Sequence, residues 1–284
     1  MFVRSLYQRS MLAAFAAASV LIATASASAQ PESQLGILDL AANGGINPAT
    51  GAAWAHGDTY RLMFTTSMRT PATSTDIATY NAFVQNAANN STSFSNLGDV
   101  SWSAIASTAA VDARDNTATN IGINGPGESI FLLNGSSMVA ADYADMWGNN
   151  NNGDVNVYLT ENLTTPPQGN PPGSTNNAFT SVWTGTYRFP FPGDPLYGTA
   201  DGPLGDIDGV ARGGLWGNNN NGTQWIHRFE FDTSTQLPLF ALSEPLNITD
   251  PSLAAVPEPA SIAMWSLIGM ALAGFGVYRR RRKK

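Results

Sequence analysis

The last 29 residues constrain this chain more than any other stretch. Val256-Pro-Glu-Pro-Ala260 gives way to an uncharged apolar run ending at Tyr278, and then to Arg279, Arg280, Arg281, Arg282, Lys283 and Lys284. Pro257 and Pro259 lack backbone N–H donors and resist helix, so they mark a stiff, exposed stop before the run. Ala260 to Tyr278 is 19 residues, enough as a helix to cross a hydrocarbon core of roughly 30 Å. The basic cluster keeps the extreme C-terminus on the cytoplasmic side. At the other end, Arg4 and Arg9 form a positive n-region, Met11 to Thr24 an apolar h-region, and Ala27-Ser28-Ala29 a small-residue cleavage site. That pattern is a secretory signal peptide cut before Gln30. Export at one end and a stop at the other place Gln30 to Val256 outside the cytoplasm, so whatever folds there folds there.

Pro257, Glu258 and Pro259, the apolar span and the arginines at 279–282 follow one another at the very end of the chain. In that order they resemble the PEP-CTERM sorting signal of Gram-negative bacteria that make exopolysaccharide. The resemblance covers about a tenth of the chain. It implies an exosortase-type sorting enzyme as partner and transient anchoring in the inner membrane. The implied destination is the cell envelope, the cell surface or an extracellular matrix, with exopolysaccharide as a binding partner there. An ordinary tail anchor following a Pro-Glu-Pro is the alternative.

Composition narrows the exported part, which is 227 residues and long enough to bury its own core. Of the 14 basic residues, two lie in the leader and six at the C-terminus, leaving six arginines against 20 of the 21 acids. The exported part therefore carries a net charge of −14 and no lysine. Such a surface has no counterion release to offer nucleic acid or heparin-like polyanions and suits neutral sugars or divalent cations. Cysteine is absent, which removes thiol catalysis, thiolate metal sites and disulfides together. Only His56 and His227 supply imidazole.

Periodicity predicts an α+β domain. Thr59 to Thr66 alternates like a strand, with Tyr60, Leu62 and Phe64 on one face. Ser74 or Thr75 caps a helix from about Asp76 to Ala88, with Ile77, Tyr80, Phe83, Val84 and Ala87 sharing a face. Further strands are expected at 100–106, 130–133 (running into the Asn134-Gly135 turn), 155–160, 181–184 and 223–231, with a helical turn or loop at 110–116 and a short helix at 142–146. The Pro- and Asn-rich stretch 164–177 reads as a surface loop. The expected organisation is a signal peptide over 1–29, an N-terminal extension over 30–58, a globular domain over 59–244, a linker over 245–256 and the sorting signal over 257–284.

Several of these segments carry a second resemblance. After the helix come Trp102-Ser-Ala-Ile-Ala-Ser-Thr108, Ser129-Ile-Phe-Leu-Leu-Asn-Gly135, Ala144-Asp-Met-Trp-Gly148 and Ser181-Val-Trp-Thr-Gly185. Their order and spacing resemble the endostatin domain of non-fibrillar collagens and its bacterial relatives, a variant of the C-type-lectin-like fold. The resemblance spans about Thr59 to Leu242 and implies a single endostatin-type domain with Trp102, Trp183 and Phe83 in its core. The family's disulfide cysteines and basic heparin-binding face are missing from this sequence, so a heparin role is not implied.

Candidate chemistry is sparse. Asp201, Asp206 and Asp208 are the candidate hard-oxygen ligands for Ca²⁺, although the full calcium loop with its closing glutamate is not present. Trp147-Gly-Asn-Asn-Asn-Asn-Gly153 recurs as Trp216-Gly-Asn-Asn-Asn-Asn-Gly222, which reads either as a repeated polar turn or as a ligand site. His227 reads as a packed histidine and His56 as an exposed one. The chain contains no Gly-x-Ser-x-Gly elbow and no phosphate loop. The leading expectation is a non-enzymatic exported surface or matrix protein without a cofactor. A secreted carbohydrate-active hydrolase using Asp or Glu, and a calcium-dependent glycan-binding module, are the alternatives.

Overall fold

A computed structural model describes residues 31–147, 156–167, 181–186, 198–216, 225–227 and 229–249. Its strands are β1 (Glu32–Ser33), β2 (Thr59–Thr65), β3 (Trp102–Ala104), β4 (Ser129–Leu132), β5 (Met138–Ala140), β6 (Ser181–Trp183), β7 (Val210–Leu215), β8 (Phe229–Asp232), β9 (Phe240–Ser243) and β10 (Leu246–Thr249). Its α-helices are α1 (Ile77–Asn89), α2 (Ala113–Asn116), α3 (Ile121–Asn124) and α4 (Tyr143–Trp147). The mixture is sheet-rich α+β.

β2 is the axis. Both of its faces are buried: Tyr60, Leu62 and Phe64 enter one core cluster, while Met63 enters a second. It runs parallel to β4, with Tyr60 opposite Ser129 and Met63 opposite Leu132. A parallel neighbour needs a crossover, and α1 lies in it. The other edge of β2 is shared. β10 pairs with its first residues and β9 with its last, both antiparallel. Between them the chain passes Pro245, and there the Leu62 N–H donates to the Ser243 hydroxyl at 3.0 Å. The larger sheet runs β1-β10-β2-β4-β5, with β9 bridging β2 to β3. The smaller sheet is β6-β7-β8 and is joined to the larger by the Trp183 N–H, which donates to the Pro238 carbonyl at 2.9 Å.

α1 begins where the Asp76 carboxylate accepts the Ala78 N–H at 2.9 Å, an N-cap one or two residues later than Ser74 or Thr75. Tyr80, Val84, Ala87 and Ala88 are its buried face, while Ile77 and Phe83 pack against the core half-buried. Its flank has a second use. Asn81 and Gln85, four apart and so on one side of the helix, accept the N–H groups of Ala104 and Trp102, each at 2.9 Å. Those are the outward donors of β3, an edge strand that would otherwise present them to another chain.

Three expected strands are shorter or absent. The 100–106 strand contracts to β3. Residues 156–160 form no strand; the segment lends the Val157 and Leu159 carbonyls to the hydroxyl and N–H of Thr65 at the end of β2. Among the described residues of the 223–231 stretch, Trp225 and Ile226 sit buried in a turn, and the extended part is β8. The helix expected at 142–146 moves on by one residue to become α4, with the Asp142 carboxylate accepting the Asp145 N–H at 2.7 Å.

The folded unit runs from Pro31 to Thr249. β1 lies in the stretch read as an extension, and β10 in the stretch read as a linker. Leu246 and Ile248 point inward, fully buried, with Asn247 and Thr249 outward, so four residues of strand periodicity continue past Pro245. Ile37, Leu38 and Trp54 belong to the first core cluster.

Candidate functional site

The two ends of the folded unit meet. β1 and β10 are antiparallel, with Glu32 opposite Thr249 and Ser33 opposite Ile248. The Gln34 N–H donates to the Asn247 carbonyl, and the Gln34 side-chain oxygen accepts the Asn247 N–H, both at 2.9 Å. The Thr249 hydroxyl donates to the Glu32 carbonyl at 3.1 Å. On its other side, β10 exchanges bonds with residues 57 and 58: Gly57 N–H to the Ile248 carbonyl at 3.0 Å, and Ile248 N–H to the Asp58 carbonyl at 2.8 Å. The last strand is therefore held from both sides as far as Ile248, and at Thr249 from the β1 side.

The segment after β1 continues as a strap. The Asn96 side chain donates to the Leu35 carbonyl at 3.2 Å, and the Asp39 N–H donates to the Gly135 carbonyl at 3.0 Å. Gly135 has φ +73°, and a Cβ there would run into the Ile37 carbonyl. The Asn134-Gly135 turn thus serves both its hairpin, β4 to β5, and the passage of the strap beneath it. Ser33 closes the strap on itself, its hydroxyl donating to the Leu38 carbonyl at 3.1 Å.

Deeper in the domain lies a buried cation. The Arg61 side chain is 4% exposed and pairs with Glu128, 19% exposed, at 3.3 Å. It also donates to the Thr117 carbonyl at 2.7 Å and lies 5.2 Å from the centre of the Tyr143 ring. The Tyr143 hydroxyl donates to the same Glu128 oxygen. Burial, then the Glu128 contact, push the Tyr143 phenol well above its ordinary range. A second carboxylate, Glu161, accepts from both the N–H and the hydroxyl of Ser67 and so fastens the 156–167 segment to the end of β2. In both clusters the carboxylate is occupied by structural donors.

The acidic residues at 201, 206 and 208 do not gather. Asp201 faces Arg212 at 3.4 Å, and Arg212 also holds Glu230 at 2.8 Å. Asp206 caps its own turn, accepting the Asp208 N–H at 3.1 Å. Among the described residues no three His, Asp or Glu side chains form a group able to hold a metal ion. Of the repeated Trp-Gly-Asn motif, Trp147 and Trp216 are buried in the same second core cluster, and the Trp147 ring lies tilted against that of Trp225, with centres 5.7 Å apart. Their Asn-Gly runs lie outside the described residues. His56 is exposed, and His227 is half-buried in the loop before β8 rather than on a strand face.

The processing residues expected from sequence, namely Ala27, Ala29, Gln30, Pro257, Glu258, Pro259 and Arg279 to Arg282, lie outside the described residues, as does the apolar run. Among the described residues no helix is long and apolar enough to cross a membrane. The decisive finding lies in the sequence beyond Thr249. Residues 255–283 match the PEP-CTERM protein-sorting motif. The chain carries a PEP-CTERM signal. That motif marks an exported protein recognised by an exosortase and processed at the cell envelope. No curated protein and no solved structure matches the chain. Reading from sequence alone missed the β1–β10 pairing; its one available signal was the alternation of Leu246 and Ile248 with Asn247 and Thr249 after a proline.

Proposed function

We propose that this is a non-enzymatic exported protein of the cell surface or extracellular matrix, delivered by its PEP-CTERM tail and released or re-attached after the tail is cut. The observation that carries this reading is the sorting motif at 255–283, which begins six residues after the last strand of a folded acidic unit. An exosortase would break a backbone amide near Pro257 to Pro259, passing the new C-terminal acyl group to water or to an acceptor nucleophile. Before that cut, the apolar run would hold the protein in the inner membrane.

Two features support a structural or binding role. Glu128 and Glu161 are engaged by Arg61, Tyr143 and Ser67, while Asp201 pairs with Arg212 and Asp206 accepts the Asp208 N–H. The order α1, β3, β4, α4, β6 also follows the segments that resemble the endostatin-type, C-type-lectin-like domain. On this reading the folded unit is a variant of that fold without its disulfides or basic face, and neutral exopolysaccharide is its natural partner.

Fractionation tests the proposal. In cells lacking the exosortase, or for a chain ending at Val256, the distribution should change in opposite ways: membrane accumulation in the first case, release without envelope attachment in the second. Identical distribution of both with the normal protein would defeat it.

A further inference from the structure

Resting on the reading of a neutral exopolysaccharide partner, we propose that Tyr158 and the β4–β5 hairpin beside it form the platform that binds the polysaccharide. Among the described residues Tyr158, 37% exposed, is the one exposed Phe, Trp or Tyr. Tyr60, Tyr80 and Tyr143 are all buried. The neighbours of Tyr158 fix its placement. Val157 is fully buried and its carbonyl accepts the Thr65 hydroxyl at 2.7 Å, while the Leu159 carbonyl accepts the Thr65 N–H at 2.9 Å. A backbone pinned on either side of residue 158 holds the Tyr158 side chain outward, so a ligand has little left to order there.

The Tyr158 hydroxyl lies 3.3 Å from that of Ser137, which accepts the Asn134 side-chain N–H at 2.8 Å. The Asn134 side-chain oxygen in turn accepts the N–H groups of Ser136 and Ser137, at 3.2 and 3.0 Å. The turn is thus braced from within, and the Asp39 N–H ties the Gly135 carbonyl to the strap. An exposed ring beside an amide and hydroxyls suits the two aspects of a sugar. The aromatic face covers the sugar's C–H face, and the polar groups meet its rim of hydroxyls. Charge then selects among polysaccharides. Residues 129–141 and 156–160 contain no Asp, Glu, Lys or Arg, and the Asp39 carboxylate is engaged by the Ala41 N–H at 2.9 Å. A chain of uronic acids or sulfated sugars would be repelled by a domain of charge −14, and a cationic chain would find its carboxylates elsewhere. The uncharged hairpin fits a neutral one.

Affinity electrophoresis of the protein recovered from its native cells tests this, with the neutral polysaccharide fraction of those cells or dextran sulfate cast into the gel. The neutral fraction should retard the unaltered protein and dextran sulfate should not. Tyr158→Ala should weaken the retardation by about tenfold or more, the scale of one lost stacking ring. Tyr158→Phe keeps the ring and should stay within about threefold of the unaltered protein. Equal retardation of Tyr158→Ala and the unaltered protein would overturn the platform. So would a loss as large in Tyr158→Phe as in Tyr158→Ala, because stacking would then have no part. Tyr158→Ala should also melt where the unaltered protein does; if it melts lower, Tyr158→Leu, which keeps an apolar side chain without an aromatic face, decides in its place by the same tenfold criterion. Retardation of the unaltered protein by dextran sulfate alone, or by neither polymer, would contradict the neutral-partner reading and the platform with it.

Discussion

Trp102 and Trp183 anchor the first core cluster in different ways. The Trp102 indole donates to the Leu97 carbonyl at 2.8 Å and packs edge-on to Phe64, with ring centres 4.7 Å apart. The Trp183 indole donates to the Thr70 carbonyl at 2.9 Å and meets Phe231 at 5.7 Å. Truncating either to alanine should cost about 3–5 kcal/mol through lost burial and cavity formation, seen as a fall in melting temperature. An unchanged melting temperature would mean that these side chains are exposed in solution. Glu128 poses a different risk, because its loss strands a guanidinium inside the protein. Glu128→Ala should therefore destabilise by about 3–5 kcal/mol, measured by urea unfolding, and Arg61→Met combined with Glu128→Leu should recover much of that. A double variant as unstable as the single one would show that the charge pair is not the source of the loss. Alkali should find the tyrosines. Burial pushes the Tyr60 and Tyr80 phenols from 10.0 up to about 12. The folded state holds these protons when the unfolded chain has begun to release them, so stability is intact below pH 10 and falls as pH rises from 10 through 12. Melting temperature across that window should drop, and less steeply in Tyr80→Phe; a flat profile would contradict the burial of both.

Among the elements, those with long periodicity were legible in the sequence. β2 and α1 appear within a residue or two of where alternation and the capping residue put them, because seven and thirteen residues of pattern leave little choice. Short elements were not. β3 keeps three of seven expected residues, those that pair with Ser243, Leu242 and Ala241 of β9, which is a tertiary fact. Phe83 lies on the expected helical face yet only half-buried, since the cluster closes over Tyr80 and Val84 instead. β1 and β10 escaped notice because a two-residue strand has no period, and because Pro245 reads as the start of a linker. The sorting tail, by contrast, was legible in full, as its motif, apolar run and basic cluster are contiguous. The strap offers a test at this scale. Gly135→Ala places a methyl group against the Ile37 carbonyl at a backbone angle that L side chains rarely adopt. It should raise amide exchange along residues 33–40 and at β10 before it affects α1. Uniform loss of protection across the domain would show instead that the strap is not a separable element.

The whole molecule combines a folded unit from Pro31 to Thr249, whose two ends are clasped side by side, with a PEP-CTERM motif at 255–283. The exported part carries −14 with no lysine, whereas the basic residues are concentrated in the leader and the extreme tail. Removing both ends would thus convert a chain with two cationic termini into a domain of strongly negative net charge, suited to solubility and to uncharged partners rather than polyanions. Intact-mass analysis of the protein from its native cells tests this most directly. The mature protein should begin at Gln30 and end between residues 256 and 260. A mature protein that still carries Arg279 to Lys284 would contradict it.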